Sequence, residues 1–243
     1  MLHLARRQVD SQHRLTLLGW LWPLVRQLAQ LGVLVFLFSK VLDLGIEDYP
    51  LFVFTGLMVW SWFLTGLNDA TSSLEDNRHL VFTPRFPDIA LPLVAVAAPV
   101  IDLLLALPVL LAFLVVEGRL EAPALLLPAI LAGLLAFSAG LGMALSALNV
   151  FLRDTKNLVS VGLLMLFYLT PIFYGLRNVP AEFAWVLDLN PMTHYVTAVR
   201  DVLFEGRVPD AGTALAVGLV GPVAAALGIL VFRRLQPRFV DEL

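Results

Sequence analysis

Residues 125–151 read LLLPAILAGLLAFSAGLGMALSALNVF, an apolar run with no charged side chain from end to end. A helix needs about 20 apolar residues to cross the hydrocarbon of a bilayer, and this run exceeds that length. Small residues recur in it at helical spacing, with Ala136, Gly140 and Ala144 on one face and Ser138, Gly142 and Ser146 beside them. Small side chains let a second helix backbone approach closely, so this helix is expected to be buried against a neighbour. Near the C-terminus Gly221 with Ala225, and Ala224 with Gly228, repeat the pattern. Packing of these faces within one subunit is favoured over a subunit interface, because small-residue faces are common in any helical bundle.

Five further stretches of the same character flank this one: 24–42, 51–67 and 89–116 before it, 157–174 and 213–232 after it. Hydrophobic residues make up 59% of the 243 and charged residues 14%, against roughly 45–50% and about 25% in a soluble domain. Lipid is therefore the main solvent. Barrel strands would alternate apolar with polar residues, and these runs do not. The expected fold is an all-α integral membrane protein forming one domain over 1–243. It comprises an N-terminal interfacial helix at 1–19, spans one to five within 20–174, and an external segment at 175–212 with short re-entrant helices. The sixth span follows at 213–232 and a cytoplasmic tail at 233–243.

The interfacial helix is read from Leu4, Val9, Leu15, Leu17 and Leu18 set among Arg6, Arg7, Gln8, Asp10 and Gln12. Those first residues have no compact apolar stretch ending in a small-residue cleavage site, so no cleavable signal peptide is expected. Pro92, Pro99 and Pro108 predict bends in the third span, tolerable where neighbouring helices satisfy the freed carbonyls. Lys and Arg divide eleven to five between alternate faces. Arg6, Arg7, Arg14, Arg26, Arg78, Arg85, Arg153, Lys156, Arg233, Arg234 and Arg238 stand against Lys40, Arg119, Arg177, Arg200 and Arg207. The positive-inside rule then puts both termini in the cytoplasm and 175–212 outside.

Several function classes fall away. A net charge of −3 without a basic tract argues against nucleic acid as a partner. The absence of cysteine removes thiolate chemistry and cysteine metal sites. No G-x-x-x-x-G-K-[ST] or H-E-x-x-H occurs, and His3, His13, His79 and His194 are scattered, so no catalytic, cofactor-binding or metal residues are assigned.

Other features are candidates for function. Asp102 lies within the third span, where a carboxylate costs at least about 2.5 kcal/mol, so it must face protein or water. It either lines or gates a pathway or is satisfied by a neighbouring helix, the second being favoured. Aromatic residues gather toward one side: Phe36 and Phe38, then Trp60, Trp62 and Phe63, then Phe167, Tyr168, Phe173 and Tyr174. Facing water, such rings stack on sugars; facing lipid, they form an interfacial belt. The loop 68–88 keeps an apolar island of Leu80, Val81, Phe82 and Phe86 among charges. Beyond the fifth span, Pro180 and Pro191 each fit the first turn of a short helix, over 180–187 and 191–204, with Asn190 as N-cap of the second. That second helix sets Tyr195 and its apolar neighbours beside Arg200 and Asp201, as a gate or a plain surface cap would.

Four stretches in order resemble the membrane subunit of a type-2 ABC exporter, of the group that moves O-antigen, capsular polysaccharide or teichoic acid. They are RLTLLGWLWP (14–23), RFPDIALP (85–92), NVFLRDTKN (149–157), and TPIFYGLRNVP (170–180) continuing to NPMTHYVTAVRDVLFEG (190–206). The resemblance implies a transport subunit without an ATPase site, working as a homodimer in the bacterial inner membrane. Two separate cytoplasmic ATPase subunits would bind ATP and Mg, and a lipid-linked glycan would be the cargo. It implies that the loop 73–88 holds a coupling helix docking through Leu80, Phe82, Arg85 and Phe86, with Arg153 and Asp154 as a second contact. It likewise implies that 180–204 forms re-entrant gate helices; Phe36, Trp60, Trp62, Phe63, Asp102, Phe167, Tyr168, Phe173 and Tyr174 are the candidates to line the channel. One departure is Leu15, Thr16 and Leu17 where a glycine-serine pair is usual. The rival readings are a permease for drugs or small lipids, a membrane enzyme acting on polyprenyl-linked substrates, and a structural membrane partner.

Overall fold

The computed structural model describes residues 21–41 and 44–242. The interfacial helix expected at 1–19 lies outside the described residues. The described chain is helical throughout, with no strand among those residues. In chain order the helices are α1 (Trp22–Val35, continuing as a π-helical turn Phe36–Val41), α2 (Tyr49–Asp76), α3 (Arg78–Val81), α4 (Ala90–Ala97) and α5 (Val100–Val116). They continue with α6 (Leu127–Phe151), α7 (Thr155–Leu169), α8 (Ala184–Leu189), α9 (Pro191–Leu203), α10 (Ala211–Leu235) and α11 (Phe239–Glu242).

Among the described residues, five helical stretches are long and apolar enough to cross a membrane: Trp22–Ser39, Tyr49–Asp76, Ala90–Val116, Ala122–Phe151 and Ala211–Arg238. The fifth expected span is shorter than read from sequence. α7 has 15 residues, about 22 Å at the helical rise, against a hydrocarbon core of about 30 Å. Pro171 ends it, because a residue before proline avoids helical torsions, and Thr170 is extended at φ −95°, ψ 134°.

α2 is the central pillar, with Phe54, Leu57, Val59, Trp60 and Phe63 all fully or nearly buried. Pro50 sits in its first turn, where a missing N–H costs nothing, directly after Asp48 in a left-handed turn of φ +47°. The third span does break, and it breaks at Pro99, dividing α4 from α5. Pro92 falls in the first turn of α4, and Pro108 is carried inside α5. The Trp62 indole N–H donates to the Val96 carbonyl at 3.1 Å, just ahead of that break, so a neighbouring helix serves the backbone where the ladder is interrupted.

The small-residue faces meet each other inside the subunit. A Cβ at Gly133 would lie 3.0 Å from the Val217 carbonyl, and one at Gly221 would lie 2.5 Å from the Gly133 carbonyl. At Gly140 a Cβ would run into the backbone of Ala224, and at Gly228 into that of Gly140. α6 and α10 therefore touch backbone to backbone along a glycine seam, as the sequence favoured.

Candidate coupling face and outer gate

At one end of the bundle α2, α6 and α10 finish together, and the segments after them carry Arg78, Arg85, Arg153, Lys156, Arg233, Arg234 and Arg238 interspersed with carboxylates. α3 is a single turn, after which Arg85 takes φ +65° and the chain reverses into α4. The four residues of this loop expected to couple, Leu80, Phe82, Arg85 and Phe86, do not form one docking stripe. Phe82 is 48% exposed and Arg85 is exposed. Leu80 and Phe86 are partly buried against an apolar cluster of Leu74, Val81, Leu91, Met143, Ala147, Val150, Phe232 and Phe239. Phe82 and Arg85 are thus the side chains left for an external partner.

Arg153 and Asp154 are exposed in the short link between α6 and α7. Neither makes an ion pair among the described residues, so the pair is not simply a local salt bridge ending the helix. The link is held by Asn149, which is 2% exposed. Its amide donates to Glu75 Oε2 at 3.2 Å, and its Oδ1 accepts from the Lys156 backbone N–H at 3.2 Å. Lys156 Nζ stands 3.6 Å from the same Glu75 oxygen. One buried amide therefore joins the ends of α2 and α6 to the start of α7. Glu75, Arg78, Asn149, Val150, Arg153 and Glu242 line a cleft of about 290 Å³, so the loop after α2 and the Arg-Asp link open onto one site. Sequence reading missed Glu75 and Glu242 here; neither stands in a pattern that marks it.

The opposite end gathers the turns at 44–48 and 117–126 and the long segment 170–210. The single gate expected at 180–204 divides into two parts. α9 is seated in the core: Asn190 caps it by accepting from the Met192 N–H at 3.0 Å, and Tyr195, Arg200 and Asp201 are buried. Arg200 crosses to two other elements. Its Nε donates to the Phe52 carbonyl at 3.2 Å, its Nη2 to the Ile172 carbonyl at 2.5 Å, and its Nη1 to the Pro171 carbonyl. The guanidinium centre also lies 3.6 Å from the centroid of the Phe52 ring. Three backbone acceptors and one ring thus replace the water and the carboxylate such a cation would otherwise need.

Asp201 points the other way. Its Oδ1 pairs with Arg207 Nη2 at 2.6 Å, and Arg207 Nε reaches Glu205 Oε2 at 2.6 Å. Burial pushes the Asp201 carboxyl up to about 6, with the Arg207 guanidinium pulling against it. The second part, residues 176–189, is open: Pro180 is exposed, as are Leu176, Phe183, Trp185 and Leu189.

The expected channel aromatics separate by burial. Trp60, Trp62 and Phe63 are 2%, 3% and 1% exposed, so in this conformation they form the core of the bundle and not a wall. Trp60 packs on Phe63 and Phe167, and Phe63 stacks on Phe137, which stacks on Tyr195. The reason is that other helices surround α2: Trp62 turns toward α4, Trp60 toward α7 and Phe63 toward α6. Phe36 and Tyr168 are on the surface, 63% and 58% exposed, while Phe167, Phe173 and Tyr174 are half-buried beside them. Asp102 stands in the first turn of α5, where the helix N-terminus favours a negative charge. Asp69 of α2 is near enough for the two carboxylates to interact.

The description ABC-2 type transporter belongs to the family model that matches residues 1–204. Over 242 residues, 99% of the chain and 93% of the relative, it is 28% identical to the O-antigen export system permease protein RfbA of Klebsiella pneumoniae. The corresponding RfbA protein of Myxococcus xanthus is 30% identical over 246 residues, 100% of the chain and 95% of its own length. The polysialic acid transport protein KpsM of Escherichia coli is 21% identical over 235 residues, 93% of the chain and 90% of its own length.

Proposed function

Because the chain belongs to the ABC-2 type transporter family, we propose that it is the permease subunit of an ATP-driven exporter carrying an O-antigen-like polysaccharide across the bacterial inner membrane. The observation that carries this reading is the near full-length similarity to two permeases named for O-antigen export, reinforced by a third relative named for polysialic acid transport. The chain is a multi-pass membrane protein; we read it as six crossings, with α7 completed by the residues around it and 191–203 as a re-entrant helix.

In this reading energy arrives from a separate ATPase subunit on the face that carries Arg78, Arg85 and Arg153. Exposed Phe82 and Arg85 are the side chains offered to it, as an apolar residue flanked by charge docks in a groove. Arg153, which lines the shared cleft, gives a second contact together with exposed Asp154 beside it. ATP and Mg belong to that partner. The Lys and Arg excess read from the sequence supports a cytoplasmic placement of this face.

The glycan path is proposed between two copies of the chain. Phe36 and Tyr168, with Phe167, Phe173 and Tyr174 behind them, offer ring faces on which sugars stack and slide, while the lipid anchor stays in the bilayer. At the outer end Arg200 holds α9 to α2 and to the 171–172 turn. The part free to move is then the exposed 176–189 segment. Asp102 we assign to the packing of α2 against α5.

Loss of this chain in its source bacterium tests the reading. Surface polysaccharide should disappear while lipid-linked glycan accumulates on the inner side. Unchanged surface glycan would refute it and would turn attention to a drug or small-lipid cargo.

A further inference from the structure

We infer that the C-terminal turn, residues 236–242, is a clasp that positions the coupling loop on the last helix, with Phe239 and Gln236 as its positioning residues. The inference rests on the reading that a partner drives residues 77–89.

After α10 the chain tightens into a 3-10 turn, Gln236–Arg238, and then into α11. Phe239 is fully buried while its neighbour Val240 is 60% exposed, so one side chain is inserted and the rest of the turn is not. Its ring lies 5.3 Å from Phe232 of α10 and 6.2 Å from Phe151 of α6, in the same apolar cluster as Leu74 and Val81. Leu80 and Phe86 of the coupling loop rest on that cluster. Gln236 Nε2 donates to Asp88 Oδ2 at 3.0 Å, at the far end of the same loop. Glu242 lines the cleft with Arg78 and Arg153.

The turn thus holds the loop along its apolar side, through the cluster around Phe239, and at its end, through Asp88. α10 is joined to α6 by the glycine seam, where the backbones touch and no side chain is free to yield. A push on residues 77–89 therefore has a rigid receiver, the α6–α10 pair, and the clasp is what joins the two. Without it the loop would move on its own. The family match ends at residue 204, so this turn lies beyond what that match describes.

The test uses the full chain assembled with its ATPase subunit in membranes. Phe239→Ala should leave the amount of assembled complex and its ATP hydrolysis near wild type and lower export roughly ten-fold. Phe239→Leu should restore export. The chain lacks cysteine, so Asp88→Cys with Gln236→Cys allows a short bis-maleimide to join the two ends. In the Phe239→Ala background that cross-link should restore export. An export loss no larger than the loss of assembled complex would overturn the clasp, as would a cross-linked protein that stays inactive. Failure of the two thiols to cross-link at all would overturn it whatever the chain carries. A wild-type complex that exports nothing would refute the export reading, and it would leave the cross-link undisturbed.

Discussion

Replacing Arg200 separates a specific hydrogen-bonded clamp from a mere buried charge. Arg200→Met keeps the length and apolar stem but strips the Phe52, Pro171 and Ile172 carbonyls of their donor. Each buried acceptor left unpaired costs about 1 kcal/mol or more, and the lost ring contact about 1–2 kcal/mol, together some 4–5 kcal/mol. Part of that returns, because burying the guanidinium itself carries a desolvation penalty, so a net loss of about 2–4 kcal/mol is expected. At roughly 2–4 °C per kcal/mol for a chain of this size, thermal unfolding in detergent should fall by about 5–15 °C. Arg200→Lys is the decisive companion. An ammonium is a hydrated point charge that cannot fork to three carbonyls on two elements, so lysine should be at least as damaging as methionine. A lysine variant that melts like wild type beside a methionine variant that does not would show that charge alone matters and would refute the clamp. Wild-type melting of both would refute it more simply.

Further outcomes follow from the same geometry. Gly140→Val and Gly228→Val should abolish folded protein on size-exclusion chromatography, since each drives a side chain into facing backbone, whereas Gly162→Ala and Gly218→Ala, with open space around them, should be tolerated. Phe82→Ala should lose the ATPase subunit on co-purification without lowering the melting temperature, while Phe86→Ala, which packs on the cluster, should lower it by the equivalent of about 2 kcal/mol. Burial pushes the Asp201 carboxyl up to about 6 from the 3.8 of an ordinary aspartate. The native state therefore binds more protons between those values, so this group's contribution to stability falls as pH rises through that window. Asp201→Asn should flatten the wild-type stability profile there; an unchanged slope would contradict the assignment.

How far the sequence could be read depended on what kind of information each feature uses. Helical spans follow from run length alone, and the Asn190 cap from a local rule of residue types. The helix contact was legible from the small-residue faces holding Gly140, Gly221 and Gly228, whereas Gly133, which completes the glycine seam, was not singled out. Helix rotation leaves no such mark when a helix is apolar all round, which is why Trp60, Trp62 and Phe63 could be read as a channel wall or an interfacial belt and are buried in the core of this structure. Arg200 read as a charged side of a gate helix because its partners are backbone carbonyls, which every residue carries. Phe239 sits in a tail whose composition gives no hint of return, and its role depends on Phe151 and Val81 arriving at the same end from distant parts of the chain.

Reconstitution measures the central claim most directly. Purified chain should be placed in vesicles with and without its ATPase subunit, and movement of a lipid-linked glycan to the far leaflet followed on adding ATP and Mg. The account predicts movement only when both proteins and the nucleotide are present, and no ATP hydrolysis by the chain alone. Hydrolysis by the chain alone, or glycan movement without the ATPase, would contradict it.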